Sequence, residues 1–474
     1  MTQTTFWQPR KEVYYRWDCQ WYQGDTQKGF TSSFGPITNA IVGKSHTLAT
    51  TATPSPTFVF RLPQELLDRI VDYLHNDKRA LLSASTVSWA WLSSCRYHLF
   101  RVLAVSGTMF DKISPFPQFL RIVPQIGYYT RHLSLAVRTG PSLDIAGFQH
   151  ILMSCPQLKI LHLNSFLGRE ISGMITRPPM FKLKTLIFDD DTCNSPNKHF
   201  LTGFALILQL FYAIDELHFR IPNMPLVWSA TPSPPDRPIP IDELEEMVPN
   251  PGFIRIKRII TSDTDPEYGG PTPFGSFMQI LRRAMVATSE DLTSFKAENW
   301  LLRNPELLRP ILNEAENLTH LTLTLSIRYQ QDIWQNLNLK ACKHLTSIHL
   351  CIVLGAVGPF AYFGRIGPFD GDLLGTLTTL TSEVVHLSIQ LEVKGQSKHN
   401  VWRAVQHSKW SDFDEHIPVH LPRLQTFTMY FSGMFWDRGE DGPFRVCMPK
   451  YIRGEMSMAA RRGILRLDAI DTSS

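Results

Sequence analysis

A short apolar pattern, L-x-x-L-x-L, returns along this chain so often that it narrows the possible folds before any other feature is read. Leu158-Lys159-Ile160-Leu161-His162-Leu163 is the clearest early copy, and Leu183-Lys184-Thr185-Leu186-Ile187-Phe188 follows 25 residues later. Ile214 to Phe219, Leu292 to Phe295, Leu318 to Leu323, Leu345 to Leu350, Val384 to Ile389 and Leu424 to Met429 extend the series, which starts at Arg131 to Leu135. Apolar residues two apart share one face of a strand, so each copy predicts a short strand with one buried face. A second repeat precedes several copies: Cys155-Pro156-Gln157, Ala315-Glu316-Asn317 and Ala341-Cys342-Lys343-His344 each lead into the first Leu.

Helical patterns fill the gaps. Phe148, Ile151 and Leu152 form one stripe, Phe200 to Phe211 another, Phe277, Ile280, Leu281 and Met285 a third, and Leu307, Leu308, Ile311 and Leu312 a fourth. Strands alternating with helices predict an α/β fold, because parallel neighbours need a crossover connection. Steps of 25, 26 and 27 residues separate Leu158 from Leu183, Leu292 from Leu318 and Leu318 from Leu345, whereas Leu345 to Val384 and Val384 to Leu424 take 39 and 40. The spacing resembles that of irregular leucine-rich repeats, solenoids of about 20–29 residues per turn with loops inserted between strands. The Asn or Cys expected after each strand is mostly missing, which argues against a regular asparagine ladder. The longest insertion, Pro222 to Gly252, carries Thr231-Pro232-Ser233-Pro234-Pro235-Asp236-Arg237-Pro238 and reads as an exposed loop, since dense proline excludes helix and central strand.

A different pattern occupies residues 58–101. Leu62-Pro63-Gln64-Glu65-Leu66-Leu67 opens a helix in which Leu66, Leu67, Ile70, Val71 and Leu74 form an apolar stripe, with Asp68, Arg69 and Asp72 on the other side. Pro63 suits a first turn, where its missing amide hydrogen has no partner to lose. The chain turns at His75-Asn76-Asp77, and Leu81, Ala84, Val87 and Trp91 keep helical spacing, so a helical hairpin is expected. Leu62, Pro63, Glu65, Ile70, Leu74, Val87 and Trp91 together resemble the F-box, although Ser88 and Trp89 stand where that family commonly has Cys and a basic residue. Ser94 to Arg101 resembles the continuation found in an expanded F-box group of mushroom-forming fungi.

The resemblance implies docking to the Skp adaptor of a cullin-RING ubiquitin ligase through Leu62, Pro63, Leu66, Ile70, Leu74, Val87 and Trp91, with a protein substrate held by the repeats at residues that stay unknown. Periodicity alone favours a hairpin that packs on its own domain, since Leu and Ile at helical spacing are more often core than interface, and the Leu-Pro start and Val87-x-x-x-Trp91 end reverse that weighting. Packed on its own domain, the hairpin would make the chain a repeat scaffold that binds proteins without ubiquitin chemistry, its F-box-like hairpin capping the end of the solenoid.

Little else in the sequence points to chemistry. No nucleophile elbow, H-E-x-x-H, P-loop or G-x-G-x-x-G occurs, so no catalytic residue, metal ligand or cofactor is expected. Asp189-Asp190-Asp191 reads as a solvated turn after a strand. His162, His218, His320, His349 and His386 alternate with core leucines, which predicts that they face away from the core. A net charge of +4 over 474 residues gives no warrant for nucleic-acid or membrane-surface binding. Cys19, Cys95, Cys155, Cys193, Cys342, Cys351 and Cys447 include no C-x-x-C pair, and neither a signal-peptide core nor a 20-residue apolar run is present. Together these predict a cytoplasmic or nuclear protein with reduced thiols. The expected domains are a poorly ordered segment over 1–57, despite its aromatic residues, the F-box over 58–101, repeats over 102–440 and a tail over 441–474.

Overall fold

A computed structural model describes residues 62–107, 115–137, 143–164, 171–172, 175, 179–189, 198–221, 239–263, 274–285, 291–298, 308–326, 337–355, 377–394, 402, 405–406, 408–433 and 442–469. The expectations for residues 1–57, for Asp190 and Asp191, and for the proline-dense run 231–238 lie outside the described residues. Two compact units divide the chain: residues 1–140 with 150–158, and residues 141–149 with 159–474.

Among the described residues, the first unit opens with three helices, α1 (Gln64–Tyr73), α2 (Lys78–Ser85) and α3 (Trp89–Phe100). The expected hairpin is therefore a three-helix module. Leu81 and Ala84 are buried on α2, but the helix stops before Val87, and Trp91 belongs to the next helix. At the break, Ser85 Oγ donates to Leu82 O and Thr86 Oγ1 to Ser83 O, satisfying carbonyls at the helix end, and Ser88 is fully extended. Asp77 caps α2 by accepting the amides of Arg79 and Ala80 at 3.0 Å each. β1 (Val102–Gly107), α4 (Pro115–Ile122), α5 (Pro124–Tyr129) and β2 (His132–Val137) follow, with β1 and β2 parallel. Gly127 on α5 lies against the end of α6 (Ile145–Ser154), so closely that a Cβ there would meet Ser154 O at 1.9 Å.

In the second unit ten strands stand side by side in sequence order, every described pairing parallel. They are β4 (Ile160–Asn164), β6 (Phe181–Asp189), β7 (Phe211–Ile221), β8 (Arg255–Asp263), β9 (Ser294–Glu298), β10 (His320–Ser326), β11 (Ser347–Gly355), β12 (His386–Lys394), β13 (Thr426–Gly433) and β14 (Leu465–Ala469). The short strands β3 (Leu143–Asp144) and β5 (Ile171–Ser172) pair separately. Helices α7 (Lys198–Leu208), α8 (Ile241–Met247), α9 (Phe274–Ala284), α10 (Arg309–Glu314), α11 (Trp410–His420), α12 (Gly442–Glu455) and α13 (Ser457–Arg461) form crossovers. The fold is α/β, a run of strand–helix repeats.

The leucine pattern becomes two registered ladders. Leu161, Leu186, Leu217, Ile259, Phe295, Leu321, Ile348, Leu387 and Phe427 pair in succession, as do Leu163, Phe188, Phe219, Thr261, Ala297, Leu323, Leu350, Ile389 and Met429. All are buried, and burying one large side chain is worth about 1.5–3 kcal/mol. Helices cover this face: Phe204 of α7 and Phe277 of α9 meet Phe188 and Phe219 with ring centroids 4.9–5.7 Å apart, and Phe413 of α11 packs on Phe427 at 5.5 Å. The second repeat resolves as the turn into each strand. The amides of Leu158, Leu318, Leu345 and Leu424 donate to the carbonyls of Cys155, Ala315, Cys342 and Leu421 at 3.0–3.2 Å.

A threonine ladder serves where the asparagine ladder is missing. Thr293 Oγ1 donates to Lys257 O, Thr319 Oγ1 to Thr293 O and Thr346 Oγ1 to Thr319 O, at 2.9–3.2 Å. Each carbonyl also accepts one or two backbone amides of the following strand, so one rung fixes the height of the next. Where Val385 and Gln425 occupy this position, only the amides remain.

Several expectations need correction. Phe211 is the first residue of β7 rather than part of a helix, and Met285 forms a bridge with Ile254 just beyond α9. The Pro222–Gly252 loop contains α8, whose Met247 is buried together with Val248. Residues 442–469 form α12, α13 and β14 rather than a tail, with β14 continuing the sheet beside β13. Asp414 secures this last repeat by accepting the amides of Met458 and Ala459 at 2.7 and 2.9 Å.

Two substitutions test these contacts. Thr319→Val removes one rung hydroxyl and is expected to cost about 0.5–1 kcal/mol in urea unfolding. Gly127→Ala is expected to cost about 1–3 kcal/mol, because the backbone of Ser154 must move.

Candidate functional site

Helix α1 divides its surface into three stripes. Leu67, Val71 and Leu74, at i, i+4 and i+7, turn inward: Leu67 is buried, and Val71 and Leu74 join a core with Leu81, Ala84, Cys95 and Leu99 to which Leu82, Trp91 and Phe100 add partly buried packing. Gln64, Asp68 and Asp72 face α3. Gln64 Nε2 donates to Ala90 O at 3.3 Å, Ser94 Oγ donates to Asp68 Oδ1, and His98 Nε2 lies 2.8 Å from Asp72 Oδ1. Each partner is 26 residues on, so α1 and α3 run side by side in the same direction, held by a polar seam. The third stripe, Leu62, Leu66, Ile70 and Tyr73, is exposed.

The residues expected to dock an adaptor therefore divide. Leu62, Pro63, Leu66, Ile70 and Val87 are exposed, while Leu74 and Trp91 are partly buried against the module core. Sequence reading placed Leu66, Leu67, Ile70, Val71 and Leu74 on one stripe; the structure separates it into an inner and an outer edge. It also passed over Tyr73, which is 90% exposed, and Trp89, 81% exposed. Both are signalled in the sequence, as an aromatic continuing the Leu62–Leu66–Ile70 spacing and as an aromatic at a position commonly basic.

The sheet face opposite the ladders is the second candidate. His162, His218, His320, His349 and His386 all lie on it, as their alternation with the ladder residues requires. Its character changes along the repeats. From β6 to β9 it is charged: Glu216 pairs with Arg258, accepts from Thr185 Oγ1 at 3.4 Å and lies 3.5 Å from His218 Nε2, while Asp189 lies 3.4 Å from His162. Burial lowers the His218 pKa, opposed by Glu216. From β10 to β13 the described side chains on this face are hydroxyl, imidazole, thiol, amide or phenol groups. His349 Nδ1 lies 2.5 Å from Ser388 Oγ, His386 Nδ1 2.6 Å from Thr426 Oγ1, and Gln390 Nε2 donates to Ser432 Oγ at 3.0 Å. Such a surface offers many hydrogen-bonding groups that ligands can meet without desolvating a fixed charge.

Among the described residues, no group of three or more His, Cys, Asp or Glu side chains could hold a metal ion, and no helix is long and apolar enough to cross a membrane. Burial pushes the thiols of Cys155 and Cys342 up to about 12, whereas Cys447 is exposed.

These features define the class as an α/β repeat protein with an N-terminal helical module. No protein-family model matches the chain, and no curated protein matches it. Among solved structures it is similar to the complex of Rad7 and Elc1 in yeast, at 10% identity and a TM-score of 0.30, over 77% of this chain and 87% of that one. That likeness is too loose to carry an argument about function.

Two measurements follow from the geometry. Hydrogen bonds from Ser94, then Gln64, hold the Asp68 carboxyl below its usual pKa. Its stabilisation is therefore present above the ordinary carboxylate range and lost as pH falls through the depressed folded value. Asp68→Ala is expected to melt below wild type at pH 7, with the gap closing toward pH 2. Iodoacetamide at pH 8 is expected to label Cys447 in the folded chain and spare Cys155 and Cys342, as read by mass spectrometry.

Proposed function

We propose that this chain is the non-catalytic substrate-recognition subunit of a Skp-cullin-F-box ubiquitin ligase. The observation that carries the proposal is the exposed stripe of Leu62, Leu66 and Ile70 on a module whose core is already filled by Val71, Leu81, Ala84, Cys95 and Leu99. A small unit that leaves large apolar side chains in water at four-residue spacing has a surface suited to a partner. The F-box resemblance of Leu62, Pro63, Glu65, Ile70, Leu74, Val87 and Trp91 names that partner as the Skp adaptor, and through it a cullin.

On this reading, residues 58–101 dock the ligase and the repeats hold a protein substrate on the sheet face of the second unit. Catalysis belongs to the ligase partners. This subunit raises the effective concentration of a substrate lysine near activated ubiquitin, which requires no nucleophile or base of its own. The assembly would work in the cytosol or nucleus. The scaffold reading instead requires the α1 stripe to be covered by the chain's own repeats.

The test is capture of the full chain by a purified fungal Skp adaptor, alongside a Leu66→Asp/Ile70→Asp variant. Leu66 is 44% and Ile70 39% exposed, so the variant is expected to keep its circular dichroism, to melt somewhat lower because each side chain is partly covered, and to lose capture while still folded. Equal capture of both proteins, or of neither, contradicts the proposal. Trp91→Ala is a poorer probe, because removing that side chain also opens the module core.

A further inference from the structure

The docking face proposed above ends at the C-terminus of α1, and there the structure distinguishes two neighbouring residues. The F-box resemblance assigns the contact to Leu74, but Leu74 packs against the core of Val71, Leu81, Ala84, Cys95 and Leu99. Tyr73, one residue earlier, continues the spacing of Leu62, Leu66 and Ile70 and is the most exposed of the large hydrophobic residues described, at 90%. Leaving a tyrosine ring in water forgoes the stabilisation that burial would give, so its presence on this stripe needs a reason outside the module.

We propose that Tyr73, rather than Leu74, is the anchor that engages the adaptor at this end of the helix; this rests on the ligase reading. The helical part of the stripe, Leu66 to Tyr73, spans about 10 Å at 1.5 Å per residue, and Leu62 extends it from just before the helix. It carries no charge along its length, while Glu65 and Arg69 stand exposed beside it. The fitting partner surface is an apolar groove of that length. It ends in a pocket that takes an aromatic ring and leaves the phenol oxygen at a wet or hydrogen-bonding edge, and its rim presents a cation toward Glu65 and a carboxylate toward Arg69. Tyrosine suits such an end position because it supplies a large rigid contact with a polar tip, and aromatic residues in desolvated pockets commonly dominate interface energies.

The test separates binding from folding in the full-length chain, using calorimetry with a purified fungal Skp adaptor and thermal melts of the same samples. Tyr73→Ala is expected to weaken binding tenfold or more with an unchanged melting temperature, and Tyr73→Phe to retain most of the affinity. Leu74→Ala is expected to do the reverse, lowering the melting temperature while the folded protein binds within about twofold of wild type. Wild-type affinity in Tyr73→Ala, or binding lost in Leu74→Ala while it remains folded, overturns the assignment to Tyr73. If either result comes with binding that Leu66→Asp/Ile70→Asp still abolishes, the ligase reading survives. If the wild-type chain does not bind the adaptor, that reading fails and the Tyr73 assignment fails with it.

Discussion

Parallel registration of one strand on the next is the constraint on which the second unit depends. A parallel strand cannot form its hydrogen bonds with a neighbour reached by a tight turn, so every strand must be followed by a crossover that returns the chain to the same edge. The sequence meets that demand with a repeated solution. A turn delivers the first apolar residue, two further apolar residues point to the helices, and the carbonyl at the strand's start accepts the amides of the next rung. Because a slip of one residue would exchange the faces, the burial of Leu321, Ile348 and Leu387 fixes the placement of His320, His349 and His386.

That coupling turns a packing pattern into a surface. Positions fixed by the core alternate with positions left open to variation, and the open ones change from ion-paired Glu216 and Arg258 to neutral Ser388 and Thr428 along the same sheet. A repeat protein can alter such positions without disturbing its ladders, since each repeat contacts mainly its neighbours. The helical module follows the same logic on a smaller scale. Its inner stripe is buried, its seam to α3 is polar, and what remains is an apolar edge that the module covers only in part.

Much of this was legible from residue patterns, because leucines two and three apart leave a strong signal. Strand β8 escaped since Ile256 and Ile259 replace leucine and Thr261 takes the last ladder position, where its hydroxyl lies 3.4 Å from Lys296 O. Strand β14 was hidden because its ladder residues, Leu465 and Leu467, follow the helices α12 and α13 rather than a familiar turn. The three-helix form of the module is not visible in the pattern because Leu81, Ala84, Val87 and Trp91 keep a helical period across the break between the two helices. For the candidate site, the choice of residue types was readable but their direction was not. Leu66 and Leu67 look alike in a periodic pattern, and only packing against α2 and α3 reveals which one is left outside.

The central claim is that the outer edge of α1 is a docking surface independent of the sheet face, and hydrogen–deuterium exchange of the full chain with and without a fungal Skp adaptor tests it most directly. The account predicts new protection over residues 62–73 and around Val87, with exchange in β10 to β13 unchanged. Protection appearing on those strands while residues 62–73 exchange as before would contradict it.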